Sequence, residues 1–380
     1  MRGEVERWRT AAGLLALVAR EPGITRAAAA RRLGLSSGSA TEIAGRLREL
    51  ALLGEEPAPA RGRGRPTTVL TAHPEGPLVL GIELRHEDWR CELAGVDGRA
   101  RPLADDRHDH DPDAVLAALR RVVLDVHRTG RLRAVSVAVA GTVRGDRIVQ
   151  AAGLGWTGVD PGGLTAGTGV ALLVGNDATL AGVAEARDGA AAGARCGLHL
   201  VVAVGIGGAL VVDGRPVAGA AGGEYGHLPL GDRTLRCPCG AHGCWDLEVD
   251  GRALARHLGA PAPADPRAFA RAVLDRADPP AGAAVRRVVE ALAGGVAGLV
   301  NAHDPDVVTL GGLAAPLRAA APGAFADAYA AGLMAFHRAA PPPVLDAAHG
   351  DAGPMRGALA VALDRITTPA ALADWAARRT

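Results

Sequence analysis

Lysine is absent from the sequence, and arginine supplies all 42 positive charges. This reflects a bias of genome composition rather than a functional choice. Also absent is any apolar run long enough to cross a bilayer, which excludes a helical membrane span. The short run "TAAGLLALVAR" near the N-terminus does not make a secretion signal. Glu4 and Glu6 occupy its would-be basic region, and Arg20-Glu21-Pro22 follow where small residues would be needed. A cytoplasmic protein without membrane partners is expected. A large excess of one charge sign is missing too, since the net charge is +1. The charge is nevertheless unevenly placed: residues 1–66 hold twelve Arg against seven Glu and no Asp, a local net of +5.

Cysteine is scarce, with five in the chain, yet three of them fall within eight residues. Cys237, Cys239 and Cys244 lie in "GGEYGHLPLGDRTLRCPCGAHGCWDLE", shortly after Glu224 and His227. In a reducing compartment such clustering favours a metal site, with a labile disulfide as the alternative. Cys91 and Cys196, far from the cluster, read as small core residues. Apolar residues are plentiful at 48%, enough for sizeable cores, and 380 residues exceed one ordinary domain.

The basic N-terminal segment has an organisation of its own. Leu14, Leu15, Leu17 and Val18 recur at helical spacing until Pro22-Gly23 stop the helix. "ITRAAAARRLGLSSGSATEIAGRLRELALLGEE" then reads as helix, turn, helix. Thr25 caps the first of these, and Ser36 or Ser37 the second, whose inner face carries Ala40, Ile43, Leu47 and Leu50. The outer face presents Ser37, Ser39, Thr41, Glu42 and Arg46, short polar groups where a recognition helix meets bases and phosphates. Next, "LALLGEEPAPARGRGRPTTVL" reads as a wing with its return strand at 67–70. Arg61, Arg63 and Arg65 alternate with glycine at its tip, a pattern suited to a narrow minor groove. The segment resembles the winged helix that opens regulators of the ROK family (repressors, open reading frames and kinases), in which a Gly-Arg-Pro such as Gly64-Arg65-Pro66 ends the wing.

From Pro77 apolar strands alternate with helices: "LVLGIEL", "CELAGVDG", "AVSVAVAG", "VALLVGND", "LHLVVAVGIGGALVVDG", with helical stretches at 114–127 and 177–187. The pattern predicts a duplicated α/β domain with two lobes. The motifs "VAVAGTV", "GLGW", "GNDATLAGVAE", "GIGGALVVDGRPVAGAAGGEYGHL", "CPCGAHGCWD" and "DPDVVTLGG" follow one another as in ROK proteins, and the resemblance covers nearly the whole chain. It implies an α/β chain with an N-terminal winged helix-turn-helix and a two-lobed, actin-like ATPase (ribonuclease H-like) ROK domain. The expected boundaries are 1–72 for the DNA-binding domain and 73–380 for the ROK domain. Within the latter, lobe 1 takes about 73–185 plus a C-terminal helix at about 352–380, and lobe 2 takes about 186–351.

The resemblance further implies a zinc site of His227, Cys237, Cys239 and Cys244. Four protein ligands close the tetrahedral shell, so the zinc would be structural. It implies a sugar pocket of Asn176, Asp177, Glu224, His227 and Asp246, the last standing where the family carries Glu. Trp156 is a candidate to stack on the sugar, with a core role as its alternative. ROK kinases use the aspartate at the Asp177 position as general base, and it remains here. Their first phosphate loop, however, has glycines where this chain has Glu83-Leu84-Arg85-His86-Glu87. In the second loop Val204 replaces a hydroxyl and Ala209 a glycine, while Gly205 and Gly207 stay, as do Gly311-Gly312 on the adenosine side. Because phosphoryl transfer rests on positioning the phosphates, the expectation is a protein that is not an enzyme, with Asp177 a vestigial base and no ATP bound. The expected role is a transcription regulator, a homodimer or dimer of dimers, that binds a double-stranded DNA operator and a sugar or sugar-derivative effector. A hexose kinase with an appended DNA-binding domain and a regulator with a sugar-free pocket are the alternatives.

Overall fold

A computed structural model describes residues 2–58, 68–217 and 223–379. The chain divides into two compact units: Met1–Asp177 with Met355–Thr380, and Ala178–Pro354. None of the described helices is long and apolar enough to cross a membrane.

The first unit opens with α1 (Arg2–Arg20), α2 (Arg26–Arg32) and α3 (Ser37–Glu49), followed by β1 (Leu53–Pro57) and β2 (Thr68–Ala72). Gly23, with φ 86°, lets the chain turn after α1. Thr25 caps α2 by accepting the N–H of Ala28, and Ser36 rather than Ser37 caps α3 by accepting that of Ser39. Ala40, Ala44 and Leu47 form the buried face of α3, while Ile43 and Leu50 pack at its margin. β1 and β2 pair antiparallel from Leu53↔Ala72 to Pro57↔Thr68.

There follow β3 (Leu78–Leu84), β4 (Asp88–Ala94), β5 (Ala100–Arg107), α4 (Pro112–His127), β6 (Leu132–Val139), β7 (Thr142–Arg144), β8 (Arg147–Ala151), β9 (Trp156–Val159) and β10 (Ala171–Asn176). A five-stranded sheet runs β10-β6-β3-β4-β5, and β7-β8-β9 make a small separate sheet. All seven residues of β3 are buried, as a continuous apolar strand covered on both faces should be.

The second unit holds α5 (Asp177–Asp188, its first residue belonging to the first unit), β11 (Cys196–Ala203), β12 (Gly205–Val212), β13 (Arg215–Pro216), α6 (Gly251–His257), α7 (Pro266–Leu274), α8 (Pro279–His303), β14 (Val307–Gly312), α9 (Ala314–Ala320), α10 (Pro322–Gly332), α11 (Ala335–Ala339) and β15 (Val344–Asp346). Its sheet runs β13-β12-β11-β14-β15. The two five-stranded sheets share one plan. In each, a first strand pairs antiparallel with its successor on one side and parallel with a later strand on the other. The apolar run at 198–214, one pattern in the sequence, is a hairpin of β11 and β12 that turns at Val204. The core of this unit forms around α8, whose buried residues include Val288, Leu292, Val296 and Val300.

α12 (Gly353–Ile366) begins at the end of the second unit and runs into the first, where α13 (Pro369–Ala377) closes the chain. α12 lies directly on β3: a Cβ added at Gly81 would come within 2.6 Å of Met355 Sδ. The C-terminal stretch packs rather than trails, with Leu372 and Trp375 buried and α13 against α1.

Candidate functional site

Residues 227–244 fold into a knuckle that gathers four soft and borderline donors. The Cys237 N–H donates to Ala241 O at 2.8 Å and the Gly240 N–H to Cys237 O at 2.9 Å, which makes a tight turn. Gly240 and Gly243 complete it with φ of 98° and 71°, values that favour glycine. The Trp245 N–H donates to Leu228 O at 2.9 Å, and its buried indole donates to Ala291 O in α8 at 2.9 Å. The knuckle is thus pinned to the core of its unit.

One ligand atom from each of His227, Cys237, Cys239 and Cys244 lies within 4.8 Å of the others. Cys239 and Cys244 Sγ are 3.6 Å apart, and Cys237 Sγ is 3.7 Å from His227 Nδ1. Thiolates about 2.3 Å from a tetrahedral ion would be separated by roughly 3.8 Å. The spacing therefore fits a four-coordinate metal, and the cysteines are free thiols rather than a disulfide. The Ala241 N–H pulls the Cys239 thiol down, whereas burial raises Cys237 and pushes Cys244 up to about 12. A bound cation would reverse the latter two by stabilising the thiolates. His242, a spare imidazole in the sequence, is exposed and outside the group. Cys91 and Cys196 are buried elsewhere, as expected of core residues.

Around the knuckle, His227 Nε2 is 3.7 Å from Glu224 Oε2, an ion-pair rather than a hydrogen-bond distance. Asp246 turns one oxygen to the Ile206 N–H at 2.6 Å and lies 3.6 Å from His227 Nδ1 with the other. Burial raises the Asp246 carboxyl, against the pull of the Ile206 N–H and His227. These residues all belong to the second unit. Asn176 and Asp177 belong to the first, at the end of β10 and the start of α5, where Asn176 Nδ2 donates to Gly141 O at 3.1 Å. Trp156 is a core residue: it is 2% exposed and its indole donates to His110 O.

The turn joining β3 to β4 is held by its own charges. Buried Glu83 pairs with Arg90 at 2.6 Å, Arg85 pairs with Asp88, and Glu87 pairs with Arg107 at 2.7 Å. Arg85 is thus engaged within its own turn. In the turn joining β11 to β12, Val204 is exposed and Gly205 has φ 101°. Gly312 serves close packing, because a Cβ there would sit 2.1 Å from Val202 O.

In the N-terminal helices, Ser37, Ser39, Thr41 and Arg46 are all exposed. Thr41 donates to Ser37 O, and the Arg46 guanidinium lies 5.2 Å from the centre of the Trp8 ring. Arg61, Arg63 and Arg65 lie outside the described residues. The sequence reading missed a buried polar network in the second unit. Glu185 accepts the N–H groups of Ala190, Ala348 and His349, and His199 Nδ1 shares a hydrogen with Thr309 Oγ1 at 2.9 Å. A glutamate inside the small-residue helix "ATLAGVAEA" was its one local signal.

The ROK family profile matches residues 83–365. N-acetyl-D-glucosamine kinase of Escherichia coli O157:H7 is 33% identical over 199 residues, which cover 48% of this chain and 64% of that enzyme. The Shigella flexneri enzyme of the same name matches at 33% over 198 residues with the same coverage. The chain thus spans less than two thirds of the length of these relatives. Among solved structures, a ROK family transcriptional regulator described as a homolog of the E. coli MLC protein superposes with TM-score 0.74 at 20% identity, covering 98% of this chain and 100% of that one. ROK hexokinase from Thermus thermophilus gives TM-score 0.60 at 29% identity, covering 75% of this chain and 97% of its own. The Streptomyces griseus ROK glucokinase, solved with glucose and AMPPNP, gives TM-score 0.60 at 21% identity and covers 75% of this chain and 98% of its own.

These kinase relatives overturn the expectation that the chain is not an enzyme. That expectation weighed the glycines missing from the first turn, and the hydroxyl and glycine replaced by Val204 and Ala209 in the second. The second turn keeps Gly205 and Gly207, and Asp177 still heads its helix.

Proposed function

The chain belongs to the ROK family, and from that premise we propose that it is a DNA-binding transcription regulator whose ROK domain takes up a sugar or sugar derivative. The observation that carries this reading is one of coverage. The regulator structure spans 98% of the chain, whereas the hexokinase and glucokinase structures, themselves covered at 97% and 98%, span 75%. We assign the part of the chain beyond the kinase match to residues 1–72, a basic segment of three helices and an antiparallel strand pair. In this reading the segment is a winged helix-turn-helix, and residues 73–380 are the two-lobed ROK domain. Ser37, Ser39, Thr41 and Arg46, with Arg61, Arg63 and Arg65, meet DNA.

The knuckle holds a structural zinc through His227, Cys237, Cys239 and Cys244. When bound, zinc supplies no reaction chemistry but locks the fold of the knuckle and the direction of the His227 ring. The sugar-ligand candidates are Glu224, His227 and Asp246 in the second unit and, by the family resemblance, Asn176 and Asp177 in the first: an amide, an imidazole and carboxylates suited to a ligand rich in hydroxyls. The sugar acts on DNA binding only through unequal affinity for two states of the protein. A symmetric dimer places two winged helices on the half-sites of an inverted repeat. Selection of bound DNA from a random pool tests the reading: an enriched inverted repeat supports it, and a pool that stays random after repeated rounds sinks it.

A second reading, sugar phosphorylation by the same domain, is favoured by the 33% identity to N-acetyl-D-glucosamine kinase and by Asp177. Asp177 would take the proton of the attacking hydroxyl as general base. A coupled assay with ATP, hexoses and N-acetylhexosamines separates the two roles: turnover abolished by Asp177→Asn establishes the kinase, and turnover untouched by that change removes Asp177 as base.

A further inference from the structure

We propose that Asp246 is a positioning residue that ties the metal knuckle to the turn between β11 and β12, so that metal occupancy sets the order of that turn. This rests on the metal reading of the knuckle and deepens it. The Asp246 side chain faces two ways. One oxygen accepts the Ile206 N–H at 2.6 Å, and the other lies 3.6 Å from Nδ1 of His227, the nitrogen that also faces Cys237.

The fit leaves no slack on either side. A Cβ on Gly226 would sit 1.7 Å from Asp246 Oδ1, and a Cβ on Gly205 would sit 2.9 Å from Oδ2. Both glycines are therefore required by the carboxylate between them. Gly205 and Ile206 open β12, directly after exposed Val204. The Asp246 side chain reaches the Ile206 amide at the start of β12 while staying beside His227, which joins the knuckle to that strand end.

The mechanism follows from these contacts. A metal held by Nδ1 of His227 and the three thiols would place its positive charge on the side that Oδ2 of Asp246 faces, and that charge would hold the carboxylate while Oδ1 accepts the Ile206 N–H. Without metal that attraction is gone, and only the Ile206 N–H holds the carboxylate. A charge-assisted hydrogen bond to a backbone N–H holds that amide against local opening. Its loosening is read directly as faster hydrogen exchange at residue 206, in a segment that contains no metal ligand.

The test is amide hydrogen exchange of the full chain, zinc-loaded and chelator-treated, with zinc content measured by atomic emission. Exchange at Ile206 should accelerate about tenfold on chelation. In Asp246→Ala it should be fast in both states, with zinc content unchanged. Asp246→Asn, which keeps an acceptor oxygen without the charge, should protect Ile206 better than Asp246→Ala but respond little to chelation. Slow exchange at Ile206 in a zinc-loaded Asp246→Ala protein overturns the proposal, as does wild-type exchange indifferent to chelation. If the chain takes up no zinc, the metal reading fails instead, and the Asp246→Ala comparison still decides whether the carboxylate orders the turn.

Discussion

Two residues carry most of what can be tested one side chain at a time. Cys244 is fully buried at the heart of the knuckle, and Cys244→Ser replaces a soft thiolate with a hydroxyl that zinc binds poorly. The expected outcome is loss of stoichiometric zinc and a lower thermal midpoint. Zinc at a hundred times its dissociation constant contributes about 2.7 kcal/mol. An unchanged zinc content would show that the ion, if present, lies elsewhere. His199 is the other. Burial lowers its pKa from 6.5 to about 4, against the pull of Glu185 and with the repulsion of His349. Above pH 6.5 both folded and unfolded forms are neutral and its contribution is whole. As pH falls from 6.5 toward 4 the unfolded chain gains a proton that the folded chain refuses, so stability declines across that window. Denaturant unfolding at pH 7 and pH 5 should show the decline, and His199→Gln should flatten it. At this scale the cysteine cluster was legible because its spacing is local, while His227 joined it only through the family resemblance. The Asp246–Ile206 bond was not, since it joins residues 40 positions apart through a fold that the sequence does not spell out.

The elements were legible where a local rule governs them. Pro22-Gly23 end α1, Thr25 and Ser36 cap the next two helices, and β3 reads as a buried strand. The hairpin at 196–212 was hidden because both of its strands are apolar and its turn has only Val204-Gly205 to mark it. β5 escaped notice for the opposite reason: seven of its eight residues are exposed, so no apolar period announces it. Two contacts between elements can be tested. α13 braces α3 through Trp375, whose indole donates to Leu50 O at 2.8 Å and is flanked by Arg133 and Arg379. Trp375→Phe leaves that C-terminal carbonyl without its donor. It should destabilise the first unit by about 1 kcal/mol and weaken DNA binding; calorimetric unfolding and a DNA titration read the two effects. Gly81→Ala pushes a methyl into Met355 and Leu359. Overpacking of that kind costs about 1–3 kcal/mol, visible as a lower denaturation midpoint, and a midpoint unmoved would show that α12 yields freely.

For the molecule as a whole, the repeated sheet plan in the two units was foreshadowed by paired strand-and-glycine patterns in the two halves of the sequence. What the sequence reading got wrong was the expectation that the altered turns make the chain a non-enzyme, which the kinase relatives overturn. On the proposed reading the N-terminal segment binds DNA, and its arginines set the strength of that binding. Replacing one phosphate-contacting arginine should lower the salt slope of binding by about one unit. The most direct measurement of the central claim is the affinity of the full chain for its selected DNA, with and without saturating sugar, across a panel that includes N-acetyl-D-glucosamine. The account predicts specific DNA binding that at least one sugar shifts tenfold or more, and that Asp177→Asn or Glu224→Gln makes insensitive to that sugar. Specific DNA binding that no sugar on the panel moves would contradict it.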